Sequence, residues 1–131
     1  MNKTLIGKNN YLFLINDTNR ELEVHCNNLL LVNDITLSKY KNTNYILFIY
    51  PNKSLIYKKN LPDNYIVKYR PALDLYKNIL GDKMIDLYDL LKDEEDIYYK
   101  TDTHINLKGN LLVYNYFINL INDKLDLNFK S

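Results

Sequence analysis

The segment Tyr45-Ile46-Leu47-Phe48-Ile49-Tyr50, closed by Pro51, constrains the fold more than any other part of this chain. Six consecutive residues without a charged or amide side chain leave no polar face for water. As a strand, such a run needs cover on both faces, the condition of a parallel sheet packed between helices. Proline lacks the amide hydrogen that a ladder needs, so the strand stops at Pro51.

The neighbouring patterns fit that requirement. Tyr11-Leu12-Phe13-Leu14-Ile15 is a second short apolar run, ended by the turn-forming Asn16-Asp17-Thr18-Asn19. Pro71 suits the first turn of a helix reaching Leu80, and Gly81 suits its stop. Lys83 to Leu87 reads as a further strand. The charged run Lys92 to Asp96 then leads into a loop over Tyr98 to Asn106. From Leu107 the apolar residues Leu107, Leu111, Tyr114, Ile118, Ile121 and Leu125 step by four and three, which lines one helix face, and Asn106 is placed to cap its start. The stretch Glu21 to Lys41 is ambiguous, with Leu29, Leu30, Val32 and Leu37 able to face a core from a short helix. Strand, helix, strand, loop, helix predicts an α/β domain: a small, mainly parallel sheet with flanking helices. In it Tyr45–Tyr50 is expected to lie inside, between the Tyr11–Ile15 and Met84–Leu87 strands.

Composition narrows the function classes. With 131 residues, 47% hydrophobic and 25% charged, residues 1–131 read as one globular domain. A net charge of +1, with the lysines dispersed, argues against a nucleic-acid partner. No apolar run approaches the roughly 20 residues of a membrane span. The N-terminal residues lack a secretory-signal pattern, so a cytoplasmic location is the default expectation. Cys26 is the one cysteine, so no internal disulfide is expected. One cysteine and two histidines are too few for a standard structural zinc set, and no glycine-rich phosphate loop occurs. No metal and no cofactor is therefore expected. Twenty asparagines and thirteen tyrosines against one alanine reflect AT-rich codons rather than a function.

Chemistry concentrates in Tyr98-Tyr99-Lys100-Thr101-Asp102-Thr103-His104. A histidine that activates a hydroxyl needs one free ring nitrogen and a carboxylate holding the other. Asp102 and His104 supply that pair on one loop. The plainer alternative is that Asp102 or Thr103 bonds backbone donors near a helix start and His104 is an ordinary partly buried histidine. A Cys26–His104 nucleophile pair would require two distant segments to meet, and a lone cysteine reads more simply as a small buried apolar residue.

The longer context, Asp102-Thr103-His104-Ile105-Asn106-Leu107-Lys108-Gly109, resembles the Asp-Thr-His-Trp-Asn-x-x-Gly signature of the alginate O-acetyltransferase-like SGNH family, whose members acetylate cell-surface polysaccharides. Three further stretches agree in order: Gly7 to Asn19, Phe48 to Tyr57 followed by Leu61-Pro62, and Met84-Ile85-Asp86-Leu87 with Leu90-Leu91. The resemblance implies an SGNH-hydrolase-like fold, with His104 as general base and Asp102 as its orienting carboxylate. They would serve a serine that forms an acyl-enzyme and passes acetyl to a sugar hydroxyl. Lys53 and Tyr57 match recurrent positions without an assigned role, and Lys53 reads as a solvated loop lysine.

The family's nucleophile lies in a Gly-Asp-Ser or similar motif well downstream of Asp-x-His. Here Ser131 is the only serine after His104, and Ser38 and Ser54 lie upstream without the motif. Ile105 stands at the family's aromatic position, and Glu21 to Lys41 is short for the helix between the first two motifs. The chain thus resembles the front part of the domain, truncated before the nucleophile. Two expectations follow: half of a polysaccharide O-acetyltransferase or esterase, with a complementary polypeptide bringing the serine, or a catalytically inactive glycan-binding or interaction module of the same fold.

Overall fold

In the computed structural model, which describes residues 3–33 and 37–130, the chain is a mixed α/β domain. Strands β1 (Thr4–Ile6) and β2 (Leu12–Leu14) precede helix α1 (Glu21–Asn27). Strand β3 (Leu47–Ile49) is followed by the short helix α2 (Lys53–Ile56), then by α3 (Pro71–Leu80) and strand β4 (Met84–Asp86). A turn of helix, α4 (Tyr88–Leu91), and the long α5 (Leu107–Leu125) complete it. No described helix is long and apolar enough to cross a membrane.

β3 and β4 run parallel, with Phe48 opposite Ile85. Alternation along β3 sends its side chains to two cores. Tyr45, Leu47 and Ile49 pack with Leu73 and Leu80 of α3 and with Met84. Phe48 turns the other way, into a cluster of Leu87, Leu91, Ile97, Tyr98 and Val113, the last on α5. Side chains therefore pack on both faces of this pair, but the cover is partial: β3 is half-buried, and Ile46 and Tyr50 at the ends of the apolar run are exposed. Pro71 at N1 and Gly81, with φ of 54°, bound α3 where the sequence placed them.

The expected three-stranded sheet is corrected. β2 pairs antiparallel with β1, Leu5 facing Phe13, and forms a sheet of its own; among the described residues β3 pairs with β4 alone. The hairpin closes through Asn9 and Asn10, both at positive φ, a conformation asparagine tolerates better than most residues. Gly7 is needed there, because a Cβ would lie 2.2 Å from the Asn60 carbonyl oxygen and 2.6 Å from the Phe13 ring. A nearby antiparallel partner across a short turn costs less chain entropy than a distant parallel one. In the Glu21–Lys41 stretch the helix ends at Asn27, and Leu30 and Val32 are exposed rather than core-facing.

The face assigned to the last helix is also corrected. Leu107, Leu111, Tyr114 and Leu125 point to solvent, Leu107 at 81% exposure. The buried residues of α5 are Gly109 and Val113, flanked by Leu112 and Tyr116. The four-and-three stripe is real, but the helix is rotated so that its small residue approaches the body.

Candidate functional site

The segment after β3 and the loop before α5 are built as one unit. Asn106 caps α5, its side-chain oxygen accepting from the Gly109 amide at 3.0 Å. Its Nδ2 donates to the Asp96 carbonyl at 2.5 Å and its backbone amide to the Ile97 carbonyl at 2.8 Å. Tyr98 and Ile105 bridge antiparallel, and the Tyr99 amide donates to the His104 carbonyl. The loop is thus closed at its neck. Gly109 completes the closure, since a Cβ there would fall 2.4 Å from Ile105 Cγ1 and 2.7 Å from the Ile97 carbonyl oxygen.

Inside the loop, Asp102 Oδ1 accepts from the His104 backbone amide at 2.8 Å and meets His104 Nδ1 at 2.5 Å. A carboxylate only accepts, so Nδ1 carries a proton, and in the neutral ring Nε2 then keeps its lone pair. The backbone amide of His104, and then its ring, hold the Asp102 carboxyl below its ordinary value. A carboxyl depressed in the folded state keeps its contact above the ordinary value of about 3.9 and loses it as pH falls through the lower folded value. The Asp102 Cγ resonance and the His104 amide should therefore titrate together at acid pH, below the range of an unpaired aspartate. Titration of the two at unrelated pH values would deny the contact.

His104 is exposed and lies on the rim of an open cavity of about 340 Å³. Tyr50, Pro51 and Asn52, just past the carboxyl end of β3, line it with Asp17, Glu21 and Lys53. Among the described residues, no serine and no cysteine lines it. Ser54 is buried, its hydroxyl donating to Glu21 Oε1. Cys26, on α1, lines no part of this cavity, and burial pushes its thiol up. Ser131 lies outside the described residues. Among those residues no group of three or more His, Cys, Asp or Glu side chains is gathered for a metal ion.

The Pro51–Tyr57 segment touches this loop at several points. The Tyr98 hydroxyl donates to the Pro51 carbonyl, and burial raises that phenol well above its usual range. Tyr57 Oη accepts from the Ile97 amide at 3.1 Å. Lys53, read from sequence as a solvated lysine, is instead 2% exposed. Buried lysines are rare, and nothing in the sequence shows the carbonyls that make this one tolerable.

No protein-family model matches the sequence, and no curated protein matches it. Among solved structures, the chain is similar to Bacillus cereus PatB1, determined with a sulfonyl adduct, at a TM-score of 0.60 and 24% identity. The match covers 94% of this chain and 44% of that one, so this chain spans less than half the length of PatB1 and shares its α/β fold over that part.

Proposed function

We propose that this chain supplies the Asp-x-His half of a polysaccharide O-acyltransferase or esterase site, the serine coming from polypeptide outside residues 1–131. The observation that carries the reading is the Asp102–His104 contact beside an open cavity at the carboxyl end of β3. It leaves Nε2 free to accept a proton. In the reaction, Nε2 takes the serine proton as Oγ attacks the acyl carbonyl. The tetrahedral adduct then expels the donor's leaving group, which takes that proton back. A sugar hydroxyl attacks the acyl-serine in the second half, again giving its proton to Nε2, and the serine recovers one as it leaves. Asp102 fixes the ring and stabilises the imidazolium without itself being protonated.

The test is direct. An arylsulfonyl fluoride should leave the intact mass of the isolated chain unchanged, and the chain should not turn over a generic acetyl ester. His104→Ala should change neither result, because triad members act as a unit. Adding a polypeptide with a Gly-Asp-Ser segment should produce a sulfonyl adduct on its serine, and His104→Ala should abolish it. An adduct or ester burst from the chain alone, lost in His104→Ala, would place the nucleophile within these residues and overturn the split-site reading.

A second reading, a non-catalytic glycan-binding module, is favoured by the cavity lining. Asp17, Asn19, Glu21 and Asn52 beside Tyr50 and Tyr98 offer the hydrogen-bonding groups and aromatic edges that a sugar uses. Oligosaccharide binding that survives His104→Ala, without any acyl chemistry in the mixed system, would decide for it.

A further inference from the structure

We infer that Lys53 is a positioning residue for His104, acting through the backbone of the loop rather than by contact with the ring; this deepens the acyl-transfer reading and rests on it. The Lys53 ammonium donates to the carbonyls of Leu12 at 2.7 Å, Lys100 at 2.8 Å and Asp102 at 2.9 Å. An ammonium has three protons, and all are used. The Leu12 amide donates to the same Lys100 carbonyl at 3.0 Å, so β2, α2 and the loop meet at one point. One of the bonded carbonyls belongs to Asp102, the residue whose carboxylate holds both the amide and the ring of His104. Fixing that peptide fixes where the carboxylate sits. An exposed loop of threonines and a lysine has little packing of its own to do this: Thr101, Asp102, Thr103 and His104 are all exposed.

A buried charge is costly unless its donors are met. A serviceable apolar residue of similar length at position 53 would pack against the same strand. Burial lowers the Lys53 pKa, while the Asp102 and Glu21 carboxylates act in the opposite sense. The Phe13 ring, 5.5 Å from the ammonium, and the Tyr11 ring at 5.8 Å complete its surroundings. The charge here thus serves the direction of three carbonyls, two of them in the loop.

The imidazole tautomer reports this role. Held by Asp102, neutral His104 carries its proton on Nδ1; free in water, an imidazole side chain favours Nε2–H. Long-range proton–nitrogen spectra of the two histidines should show Nδ1–H as the major form of His104 in the wild type. Lys53→Met should lose it as the major form, as Asp102→Ala should, although Lys53 does not touch the ring. His25, whose Nδ1 meets the Tyr69 carbonyl at 2.7 Å, is the internal control and should not change. A folded Lys53→Met with an unchanged His104 tautomer overturns the inference. Should that variant not fold, the wild type decides. Its Lys53 ammonium protons should exchange slowly and couple across hydrogen bonds to the Lys100 and Asp102 carbonyl carbons, and absence of those couplings overturns it equally. Both readouts use the isolated chain. A correct tautomer response with no acyl chemistry in the mixed system would keep Lys53 as the loop's anchor and remove the acyl-transfer reading alone.

Discussion

Leu91→Ala is expected to lower the unfolding free energy by about 2–5 kcal/mol. Leu91 has no exposed surface and sits with Leu87 and Ile97 in the cluster under the 97–105 loop. Truncation removes the transfer free energy of its side chain and leaves a void that neighbours from several separate elements cannot fill together. Domains of this size are stable by about 5–15 kcal/mol, so the loss is a large share of the whole. A fall in Tm on the order of 10 °C should appear by calorimetry. Leu107→Ala, on the same chain but at an 81% exposed position, should move Tm little. Equal effects from the two would show that α5 is turned the other way.

The second large effect is at Gly109. Alanine favours a helix over glycine by about 1 kcal/mol, so at an exposed position Gly→Ala stabilises. Here the added methyl would meet Ile105 Cγ1 and the Ile97 carbonyl oxygen. Overpacking costs about 1–3 kcal/mol, and a backbone oxygen cannot swing aside. Gly109→Ala should therefore destabilise on balance and lift α5 from the loop neck. Ile105→Ala in the same chain should relieve part of the strain, so the double variant should cost less than the sum of the singles. Asn119→Ala, exposed in the same helix, controls for propensity and should be neutral or stabilising. A stabilised Gly109→Ala would mean that the close approach is absent.

What the sequence disclosed were the features set by local rules. Pro71 and Gly81 bounded α3 and Asn106 capped α5, while of the Tyr45–Tyr50 run only Leu47–Ile49 forms the strand, packed on both faces, with Ile46 and Tyr50 exposed. Asp102 and His104 were found as a pair because two residues of spacing suffices for one carboxylate to reach both the amide and the ring. The misreadings share a cause. The stripe through Leu107 and Leu111 is the more apolar face of α5, but the approach to Ile97 is decided by a glycine, which hydrophobicity does not score. β2 was recognisable as a strand, while its partner β1 was hidden in three residues. Lys53 was invisible as an anchor because its acceptors are backbone carbonyls, which every residue carries.

The three acceptors of Lys53 lie 41, 47 and 49 residues from it along the chain. This separation sets an order of events as the chain folds. The helix caps and the β1–β2 hairpin close over short spans and can appear early. The ammonium reaches its carbonyls only after β2, the turn into α2 and the 97–104 loop have been brought together, with the loop-closure entropy already spent. A synthetic peptide covering the Asp-Thr-His loop and α5 would have the right letters and no defined carboxylate position. The geometry around His104 is a property of the finished topology, so any circular permutation or fragment complementation of this domain has to keep Lys53 and Asp102 on surfaces that still meet.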